Sequence, residues 1–204
     1  MNTIKKAVIV LAVFLAGAEV SLSEQEGRER DGGINGNLNF FYGRKELEDD
    51  WGDASVQDEF GVELDIGEAA WPVHIVLGYR IAVGEGQAEE IFTDPDPEEL
   101  PDVIETETQT TEWYAGIRKI FGQQLKLAFA GGVSLLRGEI GFEDDVTEDD
   151  SRLGAWGGVS VYVTLIDFIN LGVSGRYSYA PVEIGAADLN AGGFHYNVFA
   201  GFNF

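Results

Sequence analysis

The chain has 204 residues, 27 of them glycine, with 12% aromatic residues, no cysteine and a formal net charge of -23 at pH 7. Nucleic-acid phosphates repel so acidic a chain, which excludes nucleic-acid binding as a function class. The absence of cysteine excludes a disulfide framework and a thiolate metal site, and the length accommodates one domain.

The first residues have the features of a secretory signal peptide. Lys5 and Lys6 precede an apolar run from Ala7 to Ala18, and Ala16-Gly17-Ala18 forms a small-x-small cleavage site. Glu19 interrupts the run well before the roughly 20 apolar residues that a transmembrane helix needs. The pattern therefore predicts an exported protein and argues against a retained anchor helix.

These features define the predicted division of the chain. We predict a cleaved signal peptide over residues 1–18, with a second cleavage site at Ser21-Leu22-Ser23 that would extend the peptide to residue 23. A polar lead follows over residues 19–33 and is predicted to be disordered. The remainder, 34–204, is predicted to be a single barrel domain.

Beyond residue 33 the sequence alternates with period 2, which predicts strands whose successive side chains point to opposite faces. In the second predicted strand the apolar face carries Phe60, Val62 and Leu64, whereas the opposite face carries carboxylates. Trp71-Pro72 predicts a short turn into the third strand. The eight predicted strands cover residues 34–42, 58–67, 73–83, 110–120, 125–138, 153–165, 170–179 and 193–204.

Two segments between the predicted strands are strongly acidic. Residues 85–109 contain no Lys or Arg and include Pro95, Pro97 and Pro101, so they are predicted to form a loop. Residues 143–152 are predicted to form a second acidic loop. The connections are long after the odd-numbered predicted strands and short after the even-numbered ones. This asymmetry, with an even number of strands, is typical of transmembrane β-barrels.

Alternation alone does not distinguish this barrel from a soluble one, which would turn its apolar face inward. Three observations favour the membrane. Aromatic residues gather near the predicted strand ends, as interfacial girdles require. The polar faces carry small or ionisable residues, which suit a narrow lumen. The chain also stops on Phe204, inside a predicted strand.

The last strand resembles the C-terminal assembly signal of outer-membrane barrels, because apolar residues alternate through Tyr196, Val198, Phe202 and Phe204. With the signal peptide and eight strands, the chain resembles the small barrels of the outer-membrane protein A transmembrane-domain type. The resemblance implies an all-β, eight-stranded antiparallel up-and-down transmembrane β-barrel. It also implies a multi-pass location in the outer membrane of a Gram-negative bacterium, a periplasmic lead, extracellular loops and recognition of the last strand by the barrel-assembly machinery.

Side chains are expected to fill the lumen of an eight-stranded barrel. A tight hairpin that places Ile66 opposite Val73 would set Asp65 against His74 and Glu59 against Arg80. We predict a charge network that holds the barrel shut; a gated ion path with exchanging partners is the alternative. The predicted members are Glu59, Glu63, Asp65, His74, Arg80, Glu112, Arg118, Lys126 and Arg176.

Ser178 and His195 are the weak catalytic candidates in the sequence. A register that pairs Tyr179 with Phe194 would make them inward neighbours, and a Ser and a His within hydrogen-bond reach perform acyl transfer when a carboxylate orients the imidazole. Neither strand supplies an inward acid. Two lumenal residues bonded to their neighbours are therefore the favoured interpretation.

The sequence as a whole predicts a non-enzymatic integral outer-membrane barrel with a charge-plugged lumen. Its expected role is structural, or interaction at the cell surface through long acidic loops, in contact with lipid and lipopolysaccharide. A small-solute or ion pore is the first alternative, and a lipid-A-modifying acyl hydrolase or transferase at the outer rim is the second. No cofactor or bound metal is predicted, although the loops could share bridging divalent cations with lipopolysaccharide phosphates.

Overall fold

The structure is a computed structural model that describes residues 33–48, 51, 55–68, 71–89, 103–142, 147–165, 168–184 and 187–204. The predicted signal peptide, and all of the predicted lead except Gly33, lie outside these residues. The strands are β1 (Ile34–Glu46), β2 (Val56–Glu68), β3 (His74–Glu89), β4 (Val103–Phe121), β5 (Leu125–Phe142), β6 (Thr147–Leu165), β7 (Ile169–Tyr179), β8 (Pro181–Ile184), β9 (Ala187–Asn190) and β10 (Gly193–Asn203).

Eight of these strands form a closed antiparallel barrel in the order β1-β10-β7-β6-β5-β4-β3-β2. Closure is made by β1 and β10, which pair from Asn37 opposite Asn203 to Glu46 opposite Phe194. The predicted eight-stranded antiparallel barrel is thus confirmed. The barrel has a turn end, where short turns join its strands, and a loop end, where the long connections lie; Gly122 takes a φ of 93° in one short turn.

The apolar face of each strand points outward. In β10, Phe194, Tyr196 and Val198 are exposed, whereas His195 and Asn197 between them are buried. A barrel with its carboxylates inside and its apolar side chains outside requires an apolar surrounding medium, as a lipid bilayer provides. No helix among the described residues is both long and apolar enough to cross a membrane.

Aromatic pairs surround the outer surface of the barrel. Towards the loop end, ring centroids lie 5.0 Å apart for Tyr42 and Phe60 and 4.6 Å apart for Tyr79 and Trp113. At the turn end, Phe202 stacks on a ring in the β6–β7 turn. These positions match the aromatic girdles expected at the two edges of a membrane-spanning belt.

The strands at the loop end are longer than the sequence predicts. Residues 85–89 extend β3, residues 103–109 extend β4, and β6 begins at Thr147, so the predicted loops over 85–109 and 143–152 are too long. Beyond the membrane-spanning belt an outward side chain faces water and no longer needs to be apolar. The ladder hydrogen bonds continue there, but the alternation that marks a strand in the sequence does not.

The connection between β7 and β10 is a hairpin, which the sequence does not reveal. Strands β8 and β9 pair from Pro181 opposite Asn190 to Ile184 opposite Ala187. The hairpin packs at the loop end against apolar side chains from β5 and from the β1–β2 connection. This outer cap consists of Leu47, Trp51, Leu136, Ala180, Val182, Ile184 and Ala191, all buried.

Hydrogen bonds fix the outer cap to the barrel. The Trp51 indole nitrogen donates to the carbonyl oxygen of Asn190 at 2.9 Å, and the backbone nitrogen of Ala180 donates to the side-chain oxygen of Asn190, also at 2.9 Å. On the other side, Arg152 donates to Glu183 at 3.0 Å. The cap therefore covers the loop end with an apolar layer.

Candidate functional site

At the turn end of the lumen, polar side chains converge on Asp65. Its carboxylate accepts hydrogen bonds from Asn37 at 2.7 Å and from Arg118 at 2.8 Å, and lies 2.9 Å from Nδ1 of His74. Asn37 in turn accepts a bond from Asn170 at 2.6 Å. Side chains from β1, β2, β3, β4 and β7 are linked in this way around one buried carboxylate.

Arg118 joins this layer to the middle of the lumen. Its guanidinium donates to Asp65 and, at 2.5 Å, to Glu63. The Tyr114 hydroxyl donates to the other oxygen of Glu63 at 2.9 Å. One cation thus compensates two buried carboxylates, and its removal would leave Glu63 without an ion-pair partner and Asp65 with His74 alone.

Nearer the loop end, three side chains converge on the buried Glu59. It accepts hydrogen bonds from Arg80 at 2.5 Å and from Asn197 at 3.0 Å, and it bonds to Nδ1 of His195. The neighbouring carboxylate, Glu112, bonds to Arg176. Both pairs are almost completely shielded from water by the wall and the outer cap.

The predicted partners Asp65–His74 and Glu59–Arg80 do meet, although the predicted register is wrong by two residues. Ile66 lies opposite Ile75 rather than opposite Val73, so each pair reaches diagonally across the ladder. A shift of two residues keeps every side chain on its own face, and diagonal neighbours remain within reach of long side chains. This tolerance is why the pairing could be predicted from an incorrect register.

Two lysines differ from the sequence interpretation. Lys126 forms no ion pair within the described part of the chain; its ammonium group lies 5.5 Å from the ring centroid of Tyr162. Lys45, absent from the predicted network, is buried in the lumen and donates to Thr110 at 2.8 Å and to the carbonyl of Ala191 at 2.6 Å. The asparagines at the start of β1 lie on the face that points into the lumen, and Lys45 lies on the same face. Extending the alternation past the predicted end of the strand at residue 42 would therefore have predicted an inward Lys45.

Inward aromatic rings complete the filling of the lumen. Phe41, Tyr162 and Phe199 form one buried cluster, and the Tyr114 and Trp156 rings form an edge-to-face pair with centroids 5.1 Å apart. The Arg176 guanidinium lies 4.1 Å from the Tyr114 centroid and 4.3 Å from that of Trp156. Sequence reasoning missed four rings of this inner layer, which occupies space that a pore would need: Phe41, Trp156, Tyr162 and Phe199.

Ser178, His195 and Glu59 form a linked set of hydroxyl, imidazole and carboxylate. Ser178 Oγ lies 2.8 Å from His195 Nε2, and Glu59 bonds to the other ring nitrogen. The expected register is again wrong by two residues, because Phe194 lies opposite Tyr177. Neither of the two strands supplies an acid, as expected, but Glu59 completes the set from β2, which is distant in sequence.

The surroundings of this set decide what it can do. Ser178 is 0% exposed, and His195 and Glu59 are each 1% exposed. Glu59 also carries the Arg80 ion pair, and the backbone next to Ser178 leads directly into the outer cap. The arrangement has the connectivity of a nucleophile, base and orienting acid, but the cap must move before a substrate can reach it.

The four residues of the predicted assembly signal lie on the outside of the barrel. Tyr196, Val198 and Phe202 are exposed on β10, and so is Phe204, whose backbone exchanges two hydrogen bonds with Gly36 of β1. Within the described residues no group of three or more His, Asp or Glu side chains is arranged to hold a metal ion. Residues 90–102 and 143–146 of the acidic connections lie outside that part of the chain.

Comparisons with known proteins find likeness in structure but not in sequence. No family model matches the chain, and no curated protein matches it. A major outer membrane protein from Thermus thermophilus aligns with a TM-score of 0.59 at 11% identity over 84% of this chain and 100% of that one. The outer membrane protein OprG from Pseudomonas aeruginosa aligns with a TM-score of 0.53 at 10% identity over 84% and 94%.

A third neighbour is the attachment invasion locus protein of Yersinia pestis, solved with the heparin analogue sucrose octasulfate. It aligns with a TM-score of 0.51 at 11% identity over 85% of this chain and 99% of that one. At such identities the shared feature is the fold. The fold of this chain is that of the small eight-stranded outer-membrane β-barrels.

Proposed function

We propose that this chain, with the fold of the small outer-membrane barrels, is a non-enzymatic integral protein of a Gram-negative outer membrane. Its lumen is closed, and its role is structural or that of a surface-interaction protein. The buried ion-pair network supports closure most directly: Glu59, Glu63 and Asp65 each have an arginine within ion-pair distance across the lumen. The apolar outer face supports contact with lipid and lipopolysaccharide.

The acidic loop end supports the surface-interaction role. Residues 85–109, which comprise the end of β3, the start of β4 and the connection between them, contain acidic side chains and no basic ones, so this segment repels polyanions. The Yersinia neighbour was solved with a sulfated ligand, whereas the acidic segment of this chain would repel a polyanion of that class. The partners we propose are cationic surfaces, and lipopolysaccharide phosphates bridged by divalent cations. We also propose that the outward residues of β10 are recognised by the barrel-assembly machinery.

A closed lumen is expected to give no steady conductance in a planar bilayer. The physical reason is that inward aromatic rings and paired charges occupy the interior, as expected for a barrel of eight strands. The measurement compares the purified, refolded barrel with a general porin reconstituted in the same bilayers as a positive control. Reproducible steps of constant size from the pure barrel would overturn closure and favour the small-solute or ion pore.

A second candidate function rests on the Ser178–His195–Glu59 set. If the outer cap opens, Ser178 Oγ could attack an ester carbonyl while His195 Nε2 takes its proton, as in acyl hydrolases. The ester C–O bond would break as the acyl group passes to Ser178, and His195 would return the proton to the leaving alcohol. Water, activated by the same imidazole, would then hydrolyse the acyl-serine ester and release a carboxylic acid and the free Ser178 hydroxyl. A lipid acyl ester at the outer rim is the substrate class that the membrane location offers.

This second candidate predicts covalent labelling of Ser178 by a fluorophosphonate probe. Labelling should disappear in Ser178→Ala and fall at least about 100-fold in His195→Asn. Ser134 is another buried lumenal serine, and the control variant Ser134→Ala should be labelled as strongly as the parent. Mass spectra of lipid A from cells with and without the protein provide the second measurement. A barrel that resists the probe and leaves lipid A unchanged contradicts the hydrolase and leaves the non-enzymatic proposal in place.

A further inference from the structure

A small cavity lies inside the lumen between the Glu63–Arg118 ion pair and the inward aromatic rings. It offers about 30 Å³ to the centres of water-sized particles. Since about 10–15 Å³ suffices for one water molecule, the space fits one or two waters or one monatomic ion. Its polar lining includes Asn39, Glu63, Arg80, Arg118, Ser174 and Arg176.

Several hydrogen-bond donors of these lining residues have no partner. Among the described residues, nothing accepts from Nε of Arg118, from Nε and Nη1 of Arg176, or from the Ser174 hydroxyl. The Arg118 side chain is 9% exposed and that of Arg176 is 3% exposed, so bulk water does not serve these groups. Leaving a buried charged donor unsatisfied is strongly unfavourable, which points to an occupant of the cavity.

The unpartnered groups also indicate what kind of occupant fits. Among the buried lining atoms without a partner in the described structure, Asn39 Oδ1 and the Ser174 hydroxyl oxygen can accept, whereas three guanidinium nitrogens can only donate. Water brings two donors and two acceptors, whereas an anion only accepts. The excess of guanidinium donors therefore favours an anion over water and disfavours a metal cation.

The charges around the cavity favour the same conclusion. Arg80, Arg118 and Arg176 line it together with a single carboxylate, that of Glu63. The carboxylates that pair with Arg80 and Arg176 are Glu59 and Glu112, which do not line the cavity. The lining therefore has more cationic than anionic side chains, while each arginine is also ion-paired with a carboxylate.

We propose that this cavity binds one small monatomic anion, a halide such as chloride. The ligand would accept charge-assisted hydrogen bonds from Arg118 and Arg176 and one from the Ser174 hydroxyl. Sulfate, phosphate and carboxylates are polyatomic, and the space of one or two water molecules is too small for them. A bound halide would hold the guanidinium groups in place and so add to the closure of the lumen.

The test uses the full barrel purified from membranes in detergent. Its unfolding temperature is read from the heat-dependent gel band in sodium chloride, sodium bromide and sodium gluconate at equal ionic strength. We expect both halides to raise the midpoint by about 2–4 °C relative to gluconate, in a saturable manner, because a ligand that binds only the folded state stabilises it. Crystals grown in bromide should show an anomalous peak beside Arg176.

Two serine variants make the test specific. Ser174→Ala removes one donor from the cavity and should weaken the halide response at least about threefold. Ser134→Ala removes another buried hydroxyl without a partner in the described structure, but Ser134 does not line the cavity, so its halide response should match that of the parent. A halide-independent midpoint, a bromide peak elsewhere, or equal responses in both variants would overturn the site and leave a water-filled cavity.

Discussion

Replacing Arg118 by methionine is expected to lower the free energy of unfolding by about 3–5 kcal/mol, the largest loss from any single charge in the lumen. Methionine keeps much of the side-chain volume, but it leaves Glu63 buried without an ion-pair partner and Asp65 with His74 alone. Since the Arg118 guanidinium lies 2.5 Å from Glu63 and 2.8 Å from Asp65, both losses arise together. The measurement is urea unfolding of the barrel in lipid vesicles, followed by tryptophan fluorescence.

The neighbouring residue provides a matched control. Lys119 follows Arg118 on β4 but points outward, where its ammonium group donates to the carbonyl of Pro72 at 2.7 Å. Lys119→Met should therefore change stability by less than about 1 kcal/mol. Adding Glu63→Gln to Arg118→Met should recover part of the loss, because one uncompensated charge disappears. If Arg118→Met and Lys119→Met have the same free energy of unfolding, the charge network does not stabilise the barrel.

Trp51→Ala is expected to loosen the outer cap while the barrel wall stays folded. The indole is 6% exposed, packs in the apolar cluster and donates to the Asn190 carbonyl. Truncation of a buried tryptophan costs about 3–5 kcal/mol, and every 1.4 kcal/mol is tenfold in an equilibrium. Amide hydrogen exchange in β8 and β9 should accelerate about 100-fold or more, while exchange in β5 and β6 stays as in the parent.

An exposed tryptophan of the same size serves as the control for this prediction. Trp113 is 62% exposed on the outer surface of β4, next to the ring of Tyr79. Trp113→Ala should leave exchange in the β8–β9 hairpin unchanged, because it removes no contact of the cap. If Trp51→Ala exchanges at the parental rate, the Ala180–Asn190 and Arg152–Glu183 hydrogen bonds hold the cap rather than apolar packing.

The two predictions concern different parts of the interior. The charge network joins opposite walls, so its loss affects the whole barrel, whereas the cap joins one hairpin and one connection to the loop end. Opening of the cap is also the step that would expose Ser178. The exchange experiment therefore reports on access to that residue independently of any enzymatic assay.

Several lumenal contacts could be predicted from sequence because they depend on the face of a strand rather than on its exact register. Asp65 meets His74, and Glu59 meets Arg80, although both hairpin partners are two residues from their predicted positions. Glu112 shows the limit of such reasoning. It lies opposite Arg80 in the β3–β4 ladder, yet its partner is Arg176 on β7, because an ion pair across a closed lumen is not restricted to neighbouring strands.

Alternation along the chain is sufficient to count the barrel strands and to group side chains by the face that they share, because period-2 alternation follows directly from strand geometry. It could not decide which inward groups meet, since closure of the barrel brings β2 within reach of β10 although they are far apart in the chain. Tertiary structure alone joins Glu59 to His195 and places Lys45 beneath the outer cap. It also gathers three arginines around one small cavity, because side chains from opposite walls share a space too narrow to keep them apart.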